Sequence, residues 1–128
     1  MRYPIFIEPG TEGTAYGVVV PDLPGCFSAG DTLDEALDNA REAVAVWLEA
    51  TLDAGGAIPE PKRIDDWFKQ YRKWIPSIVE IDPSALLGEA ERINISLPKR
   101  VLRRLDQQAA RANETRSAYI AKLALADA

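Results

Sequence analysis

Residues 21–32, PDLPGCFSAGDT, decide the fold of the first part of this 128-residue chain. Pro21 and the DLPG segment predict the end of one strand and a turn, because proline and glycine are typical of turns. The next residues, CFSAG, predict a short strand. Thr32, with Glu35 three positions later, forms a capping box that begins a helix. The acidic residues of the stretch are therefore explained by turn and helix-cap structure rather than by catalysis.

The residues on both sides extend this pattern. YPIFIE at 3–8 and AYGVVVP at 15–21 are rich in β-branched and aromatic residues, and the turn signal between them predicts a β-hairpin. After Thr32, apolar residues recur every three or four positions until Gly55, which predicts one long amphipathic helix. Its apolar face consists of Leu33, Leu37, Ala40, Val44, Trp47 and Leu48. SIVEID at 77–82 predicts a fourth strand.

The segment RIDDWFKQYRKWIP at 63–76 is rich in aromatic residues at helical spacing and ends at Pro76, so it predicts an amphipathic helix. One interpretation is that this helix covers the sheet or the core. The other is an exposed aromatic patch that binds a partner.

The first module is therefore predicted as an α+β layer of β-β-β-α-β order, with the long helix against a mostly antiparallel sheet.

The last 37 residues predict a strand followed by two helices. RINISLP at 92–98 alternates apolar and polar residues, as a strand with one buried face does. KRVLRRLDQQAARA at 99–112 and ETRSAYIAKLALA at 114–126 each have an apolar face, and Asn113 between them suits a left-handed helix end. One strand and two helices cannot bury these apolar faces alone. Two copies are therefore expected to pair their strands and pack four helices together.

The paired strands would carry a nucleic-acid-reading surface. Their polar face would present Arg92, Asn94 and Ser96 from each copy. In the major groove, arginine hydrogen-bonds to guanine, asparagine hydrogen-bonds to adenine, and serine can hydrogen-bond to either base. A solvated strand face with no DNA role is the alternative interpretation of these three residues.

Composition limits the chemistry that the chain can perform. It has no histidine and one cysteine, which excludes histidine general bases, Cys-His pairs and internal disulfides. No apolar run approaches the roughly 20 residues of a membrane span. We expect a cytoplasmic protein without membrane association, catalytic residues, metal ligands or a cofactor.

Charge divides the chain in two. Residues 1–91 hold 7 Lys and Arg against 17 Asp and Glu, a net charge of −10, whereas residues 92–128 have a net charge of +5. An acidic body with a basic tail indicates either two partners of opposite charge or a solvated acidic domain with a basic amphipathic end.

Two stretches resemble known families. Residues 92–125, with RINISLP, a basic helix and TRSAYIAKLAL, resemble a ribbon-helix-helix DNA-binding domain. Residues 15–48, with the pattern PDLPGC, GDT, EA and NA, resemble the N-terminal domain of HicB-type antitoxins. Segment 63–75 is outside that pattern, and Asn113 stands where such domains often have glycine.

The resemblance implies an antitoxin of a type II toxin-antitoxin system. Its N-terminal domain, at 1–85, would have a truncated ribonuclease H-like fold and would block a small basic HicA-type toxin that cleaves mRNA. A linker at 86–91 would lead to a ribbon-helix-helix domain at 92–128, which forms an intertwined homodimer and represses its own operon at the operator DNA. Pairing of the N-terminal domains would give a tetramer.

The antitoxin interpretation, together with residue type and predicted position, gives the candidate contact residues. Base reading is assigned to Arg92, Asn94 and Ser96, and contacts with phosphates to Lys99, Arg100, Thr115, Arg116 and Ser117. The residues predicted to contact the toxin are Asp22, Leu23, Pro24, Phe27, Trp67, Tyr71 and Trp74.

Three other functions compete with this one. A stand-alone ribbon-helix-helix repressor would use the N-terminal domain to sense a small ligand in an enclosed pocket. A metal-dependent nuclease would need carboxylates such as Glu8, Asp22 and Asp31 around metal ions. A nucleophilic Cys26 would need a lowered thiol pKa, whereas a buried cysteine usually acts as a small apolar residue.

Overall fold

The computed structural model describes residues 1–11 and 13–126. The chain divides into two compact units, Met1–Gly88 and a second unit that begins at Glu89. The division lies inside 86–91, the segment that the sequence predicts as a linker. Each unit has its own architecture and is described separately.

The first unit contains a four-stranded antiparallel sheet, which agrees with the predicted α+β class. Its strands stand in the order β3-β2-β1-β4. Their bounds are β1 Arg2–Glu8, β2 Tyr16–Val19, β3 Phe27–Gly30 and β4 Ile75–Glu80. The predicted β-hairpin and the short third strand are confirmed.

Proline at position 4 fits a central strand because of the hydrogen-bond alternation of antiparallel pairs. Met1 and Ile81 exchange both backbone hydrogen bonds. Every second residue of β1 repeats this direction, so the backbone N–H and C=O groups of Tyr3 and Ile5 also point toward β4. An N–H at Pro4 would point to the other side, where β2 has already ended at Val19. The missing donor therefore removes no ladder hydrogen bond.

Helix α1, Leu33–Asp53, packs against one face of this sheet, as its periodicity predicts. The Thr32 hydroxyl accepts a hydrogen bond from the backbone N–H of Glu35 at 3.1 Å, which confirms the Thr32 half of the predicted capping box. Gly55 follows the helix with a φ of 80°, a conformation that favours glycine. The buried residues of α1 are Ala36, Ala40, Val44 and Leu48, spaced by four. They form one core with Tyr3, Ile5, Ile7, Val18, Val20, Leu23 and Val79.

The long helix predicted at 63–76 is wrong. Helix α2 spans only Ile64–Trp67, and a series of turns leads from it into β4. Pro76, predicted to close the helix, lies inside β4 opposite Phe6. The residue before a proline is driven to extended backbone, and β4 pairs along nearly all of β1. Strand pairing therefore takes the last two residues of the predicted helix, and β4 begins two residues before the predicted strand at 77.

A 3-10 helix, Pro83–Leu86, ends the first unit. The second unit contains α3, Lys99–Arg111, and α4, Arg116–Leu125, which confirms both predicted helices. Asn113 between them has a φ of 55°, the left-handed conformation that the sequence predicts. Residues 89–98 have no helix or strand. A strand at 92–98 needs a partner strand that one copy does not offer, so it stays a prediction for a dimer.

Candidate protein-binding and nucleic-acid interfaces

The turn between β2 and β3 is held by backbone hydrogen bonds. Leu23 N–H donates to Val20 O, Cys26 N–H donates to Leu23 O, and Val20 N–H donates to Cys26 O. Gly25 adopts a φ of 81°, which completes the reversal. Leu23, predicted to contact the toxin, is completely buried in the core, so its side chain offers no surface to a partner. It anchors the turn instead.

Asp22 connects this turn to the aromatic segment. Its carboxylate accepts hydrogen bonds from the Trp67 indole at 3.2 Å and from the Lys62 backbone N–H at 3.1 Å. The Lys62 ammonium lies 4.9 Å from the centre of the Trp67 ring, within the range of a cation–π contact. Two predicted toxin contacts, Asp22 and Trp67, are thus brought together. Their polar atoms are engaged within the chain.

The remaining aromatic residues cover the second face of the sheet. Tyr71 stacks on the buried ring of Phe6 at 4.8 Å between centroids, and Trp74 meets Tyr71 edge-on at 5.4 Å. Tyr71 and Trp74 are half-buried, which favours the interpretation that this segment covers the sheet. Phe68 alone among its large aromatic side chains is well exposed, at 50%.

A shallow groove lies between the edge strand β3 and helix α1. The groove is open to solvent and has a volume of about 550 Å³, and two apolar side chains on it are exposed, Phe27 at 68% and Val46 at 58%. Its lining also includes Cys26, Ser28, Asn39, Glu42, Ala43, Trp47 and Ala50. Phe27 is the predicted toxin contact that this groove accommodates, and Pro24 lies just before it.

Side chains of α1 hold the wall of this groove in place. The Trp47 indole donates to Pro24 O at 3.0 Å, and the Asn39 amide donates to Ala29 O at 2.8 Å. These bonds fix the β3 edge against the helix, so the groove is formed before any partner binds. Val46 was not predicted as a contact from the sequence. An apolar residue two positions from Val44, off the buried face, was the available signal.

The surface beside the groove is strongly acidic. Helix α1 carries six carboxylates and one arginine, Arg41. The carboxylates are Asp34, Glu35, Asp38, Glu42, Glu49 and Asp53, all exposed. An exposed apolar contact beside such a face suits a basic protein.

The proposed catalytic alternatives find little support in this geometry. Burial raises the pKa of the Cys26 thiol, so the thiol stays protonated near neutral pH, as a structural cysteine does. Across residues 1–11 and 13–126, no cluster of three or more carboxylates and cysteines is placed to hold a metal ion. Glu8, Asp22 and Asp31 are therefore not brought together as the nuclease interpretation requires.

In the second unit, the predicted base-reading residues lie in an open segment. Arg92, Asn94 and Ser96 are exposed. Ile93 and Ile95, which alternate with them, are also exposed, at 71% and 58%. Such a row of uncovered apolar residues is unstable in water unless a partner covers it.

The predicted phosphate contacts separate into two groups. Lys99 and Arg100 in the first turn of α3, and Ser117 in the first turn of α4, are exposed. Thr115 instead caps α4, since its hydroxyl accepts from the Ala118 N–H at 3.1 Å.

Arg116, like Thr115, is hydrogen-bonded within the unit. Its guanidinium donates to both carboxylate oxygens of Asp106, at 2.8 and 2.9 Å, and so joins α4 to α3. The hydrogen bond from Arg116 lowers the pKa of Asp106.

No helix among the described residues is long and apolar enough to cross a membrane.

The chain is similar to known proteins along most of its length. Residues 3–124 match the family described as HicB-like antitoxin of bacterial toxin-antitoxin system. A 14.9 kDa protein of Haemophilus phage HP1, from the rep-hol intergenic region, is 43% identical and covers 97% of this chain and 95% of its own.

Two solved structures are also similar. The antitoxin HicB of Burkholderia pseudomallei is 35% identical, with a TM-score of 0.73 over 98% of this chain and 96% of its own. A chain of the HicA3 and HicB3 toxin-antitoxin complex is 38% identical, with a TM-score of 0.53, over 65% of this chain and 100% of its own.

Proposed function

Because this chain belongs to the HicB-like antitoxin family, we propose that it neutralises a HicA-type toxin and represses its own operon. Residues 1–85 would bind the toxin. Residues 92–128 would form a ribbon-helix-helix dimer on operator DNA. The similarity to a chain of the HicA3 and HicB3 toxin-antitoxin complex supports this choice of partner.

The groove between β3 and α1 carries the toxin-binding part of the proposal. Its exposed Phe27 and Val46 provide an apolar contact, and the acidic α1 face provides attraction for a basic toxin. Residues at the centre of an interface contribute most of its binding energy. The acidic surface would cover the RNA-binding surface of the toxin, so that mRNA is excluded.

The test uses the full chain expressed with the genes that flank it. A small basic protein that co-purifies, and that stops growth when expressed alone, is the expected partner. Phe27→Asp should weaken this complex by about 2 kcal/mol or more, about 30-fold in Kd. Phe68→Asp, an equally drastic change at an exposed phenylalanine outside the groove, should leave the Kd within a few fold.

Two results would reject this assignment. If Phe68→Asp disrupts the complex and Phe27→Asp does not, the toxin binds the aromatic segment. If this chain is recovered alone while it still binds operator DNA, the ligand-sensing repressor becomes the better function. Raising the salt concentration should slow toxin association more than it speeds dissociation, because the attraction is electrostatic.

The small number of buried residues in the second unit supports its dimerisation. Among its described residues only Ala109 is buried, too little to hold two helices together. Pairing of the 92–98 segments from two copies would cover Ile93, Ile95 and Leu97. Ile95→Lys should therefore convert the dimer to monomer in sedimentation velocity experiments and abolish operator binding.

Operator reading is assigned to the polar residues of the same segment. Asn94→Ala should weaken operator binding by about 1–3 kcal/mol for each lost base contact and relax the sequence preference. Lys99→Gln should instead weaken binding to all duplexes alike, since a phosphate contact carries no sequence information. An Asn94→Ala variant with unchanged affinity and preference would show that Asn94 is only a solvated strand residue.

A further inference from the structure

Helix α3 carries a row of arginines opposite its apolar face. Arg100, Arg104 and Arg111 fall on one line of the helix, and Arg103 lies beside it; all four are exposed. We propose that this arginine stripe, Arg100, Arg103, Arg104 and Arg111, binds the phosphate backbone of DNA without reading its sequence. The inference rests on the proposed DNA binding of this unit, and it extends the phosphate contact assigned to Arg100 along α3 to Arg103, Arg104 and Arg111.

The dimensions of the stripe suit a nucleic-acid strand. With a rise of 1.5 Å per residue, Arg100 and Arg111 are separated by about 16 Å along the helix axis. One DNA strand carries a charge about every 3.4 Å of duplex axis, so a stripe of this length lies over about five base pairs of the duplex. Its side chains frame a shallow groove of about 350 Å³, lined by Arg100, Arg103, Arg104, Gln107, Gln108 and Arg111.

The positive charge of the stripe is not neutralised within the unit. Considering the residues that the structure describes, none of its four guanidinium groups has a carboxylate within 4.0 Å. The nearby acids are engaged elsewhere, Asp106 with Arg116 and Glu114 with Lys122. Like charges four residues apart destabilise a helix. A bound polyanion relieves this repulsion and releases its own counterions.

The residue types favour phosphate over an acidic protein surface. The groove is lined only by arginine and glutamine, whereas protein interfaces have an apolar centre. Arginine binds phosphate oxygens with two parallel hydrogen bonds, and the glutamine amides add further donors. The stripe therefore offers many donors to phosphates and no apolar side chain to a protein.

The experiment compares two duplexes, the fragment upstream of the gene and an unrelated duplex of the same length. Binding of the full chain is measured across a salt series for wild type and for Arg104→Gln/Arg111→Gln. A dimer of this variant loses four charges, so the slope of log K against log salt should become shallower by about 3–4. With an unchanged affinity at 1 M salt, this slope change means that both affinities at 0.1 M salt should fall by about 10³–10⁴-fold, and their ratio should not change.

Two matched variants identify the cause. Arg41→Gln/Arg72→Gln makes the same charge change at exposed sites of the first unit and should leave the slope unchanged. Arg104→Lys/Arg111→Lys keeps the charge and should retain most of the slope, which separates lost charge from lost folding. A slope equal to that of wild type in Arg104→Gln/Arg111→Gln would overturn the proposal.

The two DNA proposals fail in different ways. If wild type does not prefer the upstream fragment, operator reading fails, while a slope change in the stripe variant still supports the stripe. If wild type prefers the upstream fragment and the stripe variant keeps both its slope and its affinities, only the stripe proposal fails.

Discussion

Gly30 in β3 lies close to the backbone of helix α1, and replacing it with alanine provides a sharp test of this packing. A Cβ atom added there would lie 2.7 Å from Cα of Ala36 and 2.8 Å from the carbonyl carbon of Glu35, and closer still to N of Ala36. These atoms belong to the backbone of the first helical turn and cannot rotate away. Ordinary contacts begin at 3.4 Å, so α1 must move by roughly 0.7 Å or more.

The size of the effect follows from this displacement. Overpacking of a well-packed site costs about 1–3 kcal/mol, and a rigid backbone neighbour places Gly30→Ala toward the upper end. Alanine lowers the conformational entropy of the unfolded chain relative to glycine, which offsets about 0.5–1 kcal/mol of this overpacking cost. We expect a net loss of about 2 kcal/mol, which lowers the Tm of a unit of this size by about 8–16 °C.

Gly17→Ala is the matched control on the neighbouring strand. Its Cβ would meet only the Glu8 side chain, at 3.7 and 3.9 Å, which are ordinary contacts. This variant should be as stable as wild type or more stable by about 0.5 kcal/mol.

Unfolding in urea, followed by tryptophan fluorescence at a fixed protein concentration, measures both variants. All three tryptophans lie in the first unit, so the signal reports on it alone. Equal midpoints for Gly30→Ala and Gly17→Ala would refute the close packing of β3 on α1.

Three further predictions concern individual side chains. Because burial raises its pKa, the Cys26 thiol should react with a disulfide reagent more slowly in the folded than in the unfolded protein, by about tenfold or more; equal rates would contradict its burial. The hydrogen bond from Arg116 lowers the pKa of Asp106 below its ordinary value. The stability contributed by the ionised Asp106 is therefore present near neutral pH and is lost as pH falls through this lowered pKa. Asp106→Asn should therefore destabilise α3 and α4 at pH 7 but not in strong acid, measured by urea titration of their NMR signals; the same loss at both pH values would exclude the ion pair as the cause. A double-mutant cycle of Asp22→Ala and Trp67→Phe should give a coupling energy of about 1 kcal/mol in urea unfolding, and additive effects would show that their hydrogen bond contributes nothing.

Local signals in the sequence determined most of the secondary structure. The Thr32 cap, the four-residue spacing of apolar residues and the conformation of Asn113 depend on neighbours within a few positions, so helices α1, α3 and α4 were predictable. Charge also divides along the chain, so an acidic body and a basic tail can be identified before any fold is known.

The tertiary structure decided which of these signals prevailed. The helical spacing at 63–75 gave only the short helix α2 and a series of turns, because β1 pairs with the chain from Ile75 onward and Tyr71 stacks on the ring of Phe6. Burial likewise separated Leu23, which is enclosed by the core, from Phe27 only four positions later, which is open to solvent. Exposure and pairing depend on what distant segments cover, and no local pattern contains that information.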